Sequence, residues 1–276
     1  MKNEAVTIEE LHSVQQVKPE SYSVTKNVNR LWMNRILIGV VFLAFWQFAS
    51  GRLIKPFWVS DPYSIALRLY EWFSTGFIWI HIQATLSEML IGLALGSLLA
   101  VIGGLLLGSS RFLGDVFYPI ILGLYSVPRI ALVPLFVVWF GIGMASKVVL
   151  VTVVVFFLVF FNAFTGVRDV DQDLINTLRI MGASKRDIFL KVIIPGASRW
   201  VFTGLRLAVP YSLMGAVTGE IIVANQGIGY LVSWSSGMFD STGMMAALFI
   251  LMICGVVADT IVTRVESKAL IWKRNE

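Results

Sequence analysis

The sequence predicts an all-α polytopic membrane protein of about six transmembrane helices, with a polar two-helix loop between the fourth and fifth. Three observations predict it. Of 276 residues, 57% are hydrophobic and only 14% charged, with a mean hydropathy of +0.79, whereas soluble domains are about a quarter charged. Several runs approach or exceed the ~20 apolar residues that cross a bilayer as a helix, and none shows the short alternating segments of a membrane β-barrel. Between two such runs lies a polar island, residues 171–195, reading DQDLINTLRIMGASKRDIFLKVIIP.

The net charge of +5 resides in the ends of the chain and one loop, as topology signals do, and does not form a nucleic-acid surface. Cys254 is the one cysteine, so no intrachain disulfide forms. His12 and His81 are too few and too scattered for a metal site. Residues 1–30 are polar with mixed charge, carry no signal-peptide pattern, and are expected to be a flexible cytoplasmic tail.

The spans are expected at residues 36–50, 84–107, 116–140, 146–165, 200–223 and 243–263, the third interrupted at Pro128 and Pro134. Around them, residues 1–33 and 266–276 read as tails and 34–265 as the membrane domain, with the polar loop at 167–197. Sixteen cations fall on one side: Lys2, Lys18, Lys26, Arg30, Arg35, Arg111, Arg168, Arg179, Lys185, Arg186, Lys191, Arg199, Arg264, Lys268, Lys273 and Arg274. The other side holds four: Arg52, Lys55, Arg68 and Lys147. The positive-inside rule places the first set, both termini and the polar island in the cytoplasm. Arg129 and Arg206 fall within spans.

In the outside segment after the first span, Asp61 reads as a helix N-cap with Pro62 at the first helical position. Ile65, Leu69, Trp72 and Phe73 follow at helical spacing. This is either an interfacial helix anchored by Trp72 or a helix packed on the bundle. In the second span Gly92 and Gly96 stand four apart, as do Gly104 and Gly108, which lets helix backbones touch.

Within the island, Asp171 caps a helix running to about Met181, with Leu174, Ile175, Leu178 and Met181 in one apolar stripe. Gly182 ends it. Ser184 starts a second helix, with Asp187 three residues on in a capping-box-like arrangement, and that helix is expected to stop near Pro195. A bent amphipathic pair on a cytoplasmic face, flanked by cations, reads as a docking element.

This island resembles the signature loop of binding-protein-dependent ABC importer permeases, which runs Glu-Ala-Ala, three residues, Gly, nine residues, Ile, one residue, Leu-Pro. Aligned on Gly182 and Pro195, the chain has Asn176-Thr177-Leu178 for Glu-Ala-Ala, Val192 for Ile and Ile194 for Leu. Gly182, Ala183-Ser184, the apolar spacing and Pro195 match; the acid and both alanines do not. Three further segments are similar to nitrate/sulfonate/taurine-type permeases. They are Ser126-Val127-Pro128-Arg129 through Phe136 with Trp139-Phe140-Gly141-Ile142-Gly143, then Glu220-Ile221-Ile222 with Gly227-Ile228-Gly229-Tyr230-Leu231, and the pattern of Asp259, Glu266 and Trp272. The resemblance covers roughly residues 57–272.

The resemblance implies a type I ABC importer fold in a bacterial inner membrane, with no cofactor bound by this chain. ATP and Mg would be used by two separate ATPase subunits, and indeed no G-x-x-x-x-G-K-[ST] loop is present. It also implies a second permease copy, most simply an identical one, and an extracytoplasmic substrate-binding protein. Coupling to the ATPase would fall to Leu174, Asn176, Leu178, Arg179, Met181, Gly182, Ala183, Ser184, Lys185 and Pro195, with Leu174, Leu178 and Met181 against the ATPase groove or the bundle and Arg179 and Lys185 at its rim.

For the solute pathway the candidates are Tyr125, Pro128, Arg129, Phe136, Tyr211 and Glu220, because ionisable groups within spans default to function. Arg129 either lines a cavity and meets an anion, or pairs with Glu220 or backbone carbonyls and holds the fold. Trp139 is a further aromatic of the same kind, Asp259 reads as structural, and Arg206, near the cytoplasmic end of the fifth span, reads as snorkelling there. The solute would be nitrate, taurine, a sulfonate or a related small anion, with a pyrimidine precursor or aromatic acid as the alternative. An ion-coupled secondary transporter would need inverted repeats and intramembrane acids, an enzyme a catalytic cluster, and a channel a filter sequence; none is evident.

Overall fold

The computed structural model describes residues 28–269, so most of the two expected tails lies outside the described residues. The chain divides into two compact units, Met1–Ala49 and Ser50–Glu276. The described part of the first is helix α1 (Val28–Ala49), which begins earlier than its hydropathy suggests. Its 22 residues span about 33 Å, enough to cross a bilayer core. Along it Arg35 lies over the Trp32 ring at 5.3 Å, and Phe42 meets Trp46.

The second unit is helical throughout its described residues apart from loops and an isolated bridge between Ser50 and Ile54. Its helices are α2 (Pro62–Ser74), α3 (Phe77–Ser109), α4 (Arg111–Tyr125), α5 (Val133–Phe140), α6 (Met144–Arg168), α7 (Gln172–Ile180), α8 (Lys185–Ile188), α9 (Ile194–Ile222), α10 (Ile228–Gly237) and α11 (Ser241–Ala269). Among the described residues of both units, five helices are long and apolar enough to cross a membrane, or six if the bent pair α4 and Arg129–Phe140 forms one span.

The centre is α3, α6 and α9. Along one edge of α3 run Gly92, Gly96, Ala100, Gly104 and Gly108, all buried. The four glycines are where α6 comes closest. A Cβ there would stand 2.5 Å from the Val151 side chain, 2.7 Å from the Thr152 carbonyl oxygen, 2.6 Å from the Ala163 Cβ and 2.8 Å from that of Val167. Lipid is as apolar as leucine, so helices in a bilayer associate through such close van der Waals contact. On its other side α6 meets α9, where Gly204 faces Val159 and Asn162. Met89, Val151, Val155, Val159, Phe160, Ala208, Val209, Leu213 and Ala216 fill the space between the three.

The third expected span is broken at Pro128, as expected, and sharply bent there. α4 and the segment Arg129–Phe140 meet at 85°. The break falls at Ser126–Pro128 and continues into a 3-10 turn, Arg129–Leu132. Pro134 does not interrupt anything: it occupies the first turn of α5, where a missing N–H costs no helical bond. Tyr118 and Tyr125 of α4 pack on Phe157, Phe161 and Phe164 of α6, and Val133 and Phe136 pack with Leu150.

α2 forms as expected, with the Asp61 carboxylate accepting from the Ser64 N–H. Its Trp72, however, is no interfacial anchor: it is buried against Phe77, and Ile65 is buried with it, so the helix packs on α3 and α11. Arg68 of α2 bonds Asp240 before α11 at 2.6 Å. Partial burial works against that carboxylate's charge, but the Gly243 N–H and Arg68 outweigh it and hold Asp240 below the usual range. The stability this adds is present at neutral pH and is lost only as pH falls through the depressed value.

Replacing Gly104 with Val is expected to force α3 and α6 apart at a cost of about 1–3 kcal/mol. Gly123→Ala, with nothing within 4 Å of its Cβ, is the neutral control. Thermal unfolding in detergent, followed by loss of the monodisperse size-exclusion peak, measures both.

Candidate functional site

Three regions carry the chemistry: the polar island at one end of the bundle, a buried polar cluster at the other, and the break between α4 and α5.

In the island, the Asp171 carboxylate accepts from the Asp173 N–H and opens α7. α7 ends in a double bond pattern: Ala183 N–H to the Leu178 carbonyl at 2.9 Å and Gly182 N–H to the Arg179 carbonyl at 3.0 Å. This pattern requires a left-handed residue at Gly182, which has φ +85°. A Cβ there would meet nothing within 4 Å, so the glycine serves conformation, not space. The Ser184 hydroxyl caps α8 by accepting from the Asp187 N–H at 3.1 Å. Lys191 and the Ser184 hydroxyl hold the exposed Asp187 carboxyl below its usual range.

The island does not end at Pro195. α8 passes through a π-helical turn, Phe189–Ile193, straight into α9, making one helical run, Lys185–Ile222. Pro195 sits in the first turn of α9 just past the π turn, where no i−4 bond is demanded of it. Trp200 of α9 donates its ring N–H to Asp169 at 3.2 Å, tying the start of the island to the same helix.

Of the expected coupling residues, Leu174, Asn176, Arg179, Met181, Gly182, Ser184, Lys185 and Pro195 are exposed, while Leu178 and Ala183 are half-buried. Asn176, Arg179 and Lys185 line a cavity inside the loop, so the two cations are not confined to its rim. The apolar stripe splits: Ile175 and Ile188 are buried, whereas Ile180 is 88% and Met181 77% exposed. Sequence reading passes over Ile180, since a place one residue off the stripe reads as polar-facing.

At the opposite end, His81, Thr85 and Glu88 of α3, Lys147 of α6 and Glu220 of α9 are all buried, each 5% exposed or less. The Thr85 hydroxyl donates to Glu220 Oε1 at 2.7 Å and accepts from the Ile228 N–H at 2.9 Å. Glu220 Oε2 accepts from the Gly229 N–H at 2.7 Å. His81 Nδ1 accepts from the Gly227 N–H at 3.0 Å, and its ring stacks on Tyr230. Lys147 forms an ion pair with Glu88. Gly227 (φ +119°) and Gly229 have no room for a Cβ, which would run into the Glu220 side chain. The cluster therefore clamps the loop entering α10 onto α3 and α9, with Lys147 of α6 joined to it through Glu88.

Glu220 is thus fully occupied in holding a loop. Lys147, counted among the outside cations, is a buried partner of Glu88, which leaves three cations on that side (four less Lys147) and deepens the asymmetry. Sequence reading misses Glu88 and Thr85. The available signal is the spacing of His81, Thr85 and Glu88, which puts three polar residues on one face of an otherwise apolar helix.

Arg129 sits at the α4–α5 break. Its guanidinium lies 4.6 Å from the Tyr125 ring centre and 6.0 Å from that of Phe157, within cation–π range. Its Nε is buried without a hydrogen-bond partner, and Glu220's partners are elsewhere, so the Arg129–Glu220 pair is not formed. Pro128 beside it and Tyr211 on α9 are exposed, while Phe136 is buried in the α5–α6 packing. Trp139 and Asp259 are exposed.

Residues 92–270 match the family described as binding-protein-dependent transport system inner membrane component. The formylaminopyrimidine transport permease protein ThiX of Halalkalibacterium halodurans is 30% identical over 240 residues, 87% of this chain and 96% of that protein. The taurine transport system permease protein TauC of Escherichia coli is 31% identical over 87% of this chain and 86% of its own length. A solved inward-facing structure of the MetNI methionine ABC transporter superposes with TM-score 0.61 at 20% identity, covering 69% of this chain and 96% of that one.

Lys147→Met is expected to strand the Glu88 carboxylate and cost about 3–5 kcal/mol, whereas the double change Lys147→Met with Glu88→Leu returns most of it. Thermal unfolding of the two variants beside the parent measures the difference. The arrangement of spans, the Gly182-bent island and the sequence kinship converge: this chain belongs to the family of inner-membrane permease components of binding-protein-dependent ABC transport systems.

Proposed function

We propose that the chain is one half of a permease pair, most simply a homodimer, driven by two ATPase subunits. It imports a small anionic solute delivered by an extracytoplasmic binding protein. ATP and Mg are used on the ATPase. Both termini and the 167–197 loop lie in the cytoplasm, as the cation asymmetry supports. Residues 34–265 form the membrane domain, with tails at 1–33 and 266–276.

The observation that carries the coupling role is the Gly182 bend, which leaves Ile180 and Met181 protruding from a loop otherwise locked by capping bonds. Leu174 joins them on the exposed side. An apolar knob on a rigid mount suits insertion into a groove of the ATPase. Asn176 stands where the family signature has an acid, so docking rests on apolar contact and on the cations Arg179 and Lys185.

The solute meets Arg129, whose guanidinium at a broken helix keeps an unsatisfied buried N–H. That cation favours a taurine-, sulfonate- or nitrate-like anion. The Tyr125 and Phe157 rings beside it support a second reading, an aromatic or pyrimidine solute, in line with the name of the ThiX relative.

Reconstitution with ATPase and binding protein in vesicles tests both. Gly182→Val is expected to cost about 1–2 kcal/mol locally and to sever ATP hydrolysis from uptake. Wild-type uptake in that variant would sink the coupling role. Arg129→Gln is expected to reduce taurine uptake about tenfold to a hundredfold, the worth of one charged hydrogen bond, with ATP hydrolysis retained. Unchanged taurine uptake would remove Arg129 from the pathway, and uptake of a neutral pyrimidine alone would favour the second reading.

A further inference from the structure

A cavity of about 880 Å³ lies between the turn joining α3 to α4 and the inner face of the island. Arg111, Arg168, Arg179 and Lys185 line it, and no acidic residue does. Like charges gathered in one recess repel one another unless an anion joins them.

Arg168 is held in place. Its guanidinium lies 5.3 Å from the Phe164 ring centre and reaches Asp115 at 3.5 Å. It passes over Gly114, where a Cβ would approach its Nη2 to 2.2 Å. Its Nε is buried without a partner. Asp115 thus meets Arg168 from outside the cavity lining.

Gln172 and Asn176 add neutral hydrogen-bonding groups to the wall, and Val167, Ile175, Ile188, Phe189 and Ile193 supply its apolar part. Ser109 and Ser110, also in the lining, are the last residue and the C-cap of the apolar 33-residue helix α3, so the recess lies where hydrocarbon gives way to headgroups. Next to Arg111, Phe112 is 75% exposed, an apolar surface for acyl chains beside a cationic one for phosphate.

We propose that this cavity holds the phosphate headgroup of an anionic lipid of the cytoplasmic leaflet, which bridges the α3–α4 turn to the coupling loop. Basic recesses at the cytoplasmic ends of membrane helices recognise such headgroups, each cation near the surface contributing about a fivefold factor in binding. The inference rests on the cytoplasmic placement of the loop proposed above.

The assembled permease–ATPase complex, exchanged into vesicles of phosphatidylcholine with or without phosphatidylglycerol, is extracted and its retained lipid counted by native mass spectrometry. Phosphatidylglycerol is expected to be retained over phosphatidylcholine, and Arg111→Gln to lower that retention about fivefold. Lys185→Gln, read for lipid retention alone, serves if Arg111→Gln does not assemble. Equal retention of the two lipids, or unchanged retention in the variant, overturns the proposal. So does release of the lipid on binding of the ATPase, which would assign the recess to an acidic segment of that subunit. Release by inorganic phosphate at millimolar concentration would assign it to free phosphate instead. Retention with no ATP-driven uptake would leave the lipid site standing and remove the transport reading, and the reverse result would remove the site alone.

Discussion

Everything else in the bundle is arranged around the contact between α3 and α6. In water two helices are pressed together by the hydrophobic effect; in lipid that force is absent, and close packing must take its place. The glycines at 92, 96, 104 and 108 permit an approach that a methyl group would block at every step. Once that pair is fixed, α9 has a defined groove to enter, and the aromatic face of α4 has a surface on which to lie.

The same approach makes the buried polar cluster tenable. Glu88 and Lys147 lie on α3 and α6 and meet because the two backbones are close. Glu220 then comes in on α9 and finds Thr85 and the backbone of Gly229. A buried charge without partners is costly, and a helix shifted by an ångström would leave one. The packing constraint and the polar constraint therefore enforce one arrangement of three helices.

Much of this is legible in the sequence, and the parts that are not share a cause. Long apolar runs mark the spans; Asp171, Gly182 and Ser184 mark the bent island, because caps and left-handed turns are written in local residue types. The Glu88–Lys147 pair is not legible, because Lys147 sits at the start of its span and a local reading counts it with the outside cations, while its partner lies on another helix. Pro134 reads as a break and is a start, since proline marks both and only the chain direction around it decides. Trp72 reads equally as an interfacial anchor or as a packing residue, and only the tertiary fold, which sets α2 against α3 and α11, decides for packing. Pro195 misleads for a different reason: the π turn just before it, Phe189–Ile193, carries the helix straight on into α9.

The π turn at Phe189–Ile193 sets the phase between the loop helix and the membrane helix. Ile188 and Ala197 are both buried, yet nine residues of unbroken α-helix would place them on opposite sides, about 180° apart. A π turn carries one residue more than the α-helical course requires, which brings the offset back to about 80°. The two helices can thus each keep an inward face while remaining one rod. Sequence drift on either side of the turn is then free to proceed independently, because the register between the two faces is set by the extra residue and not by their own periodicity.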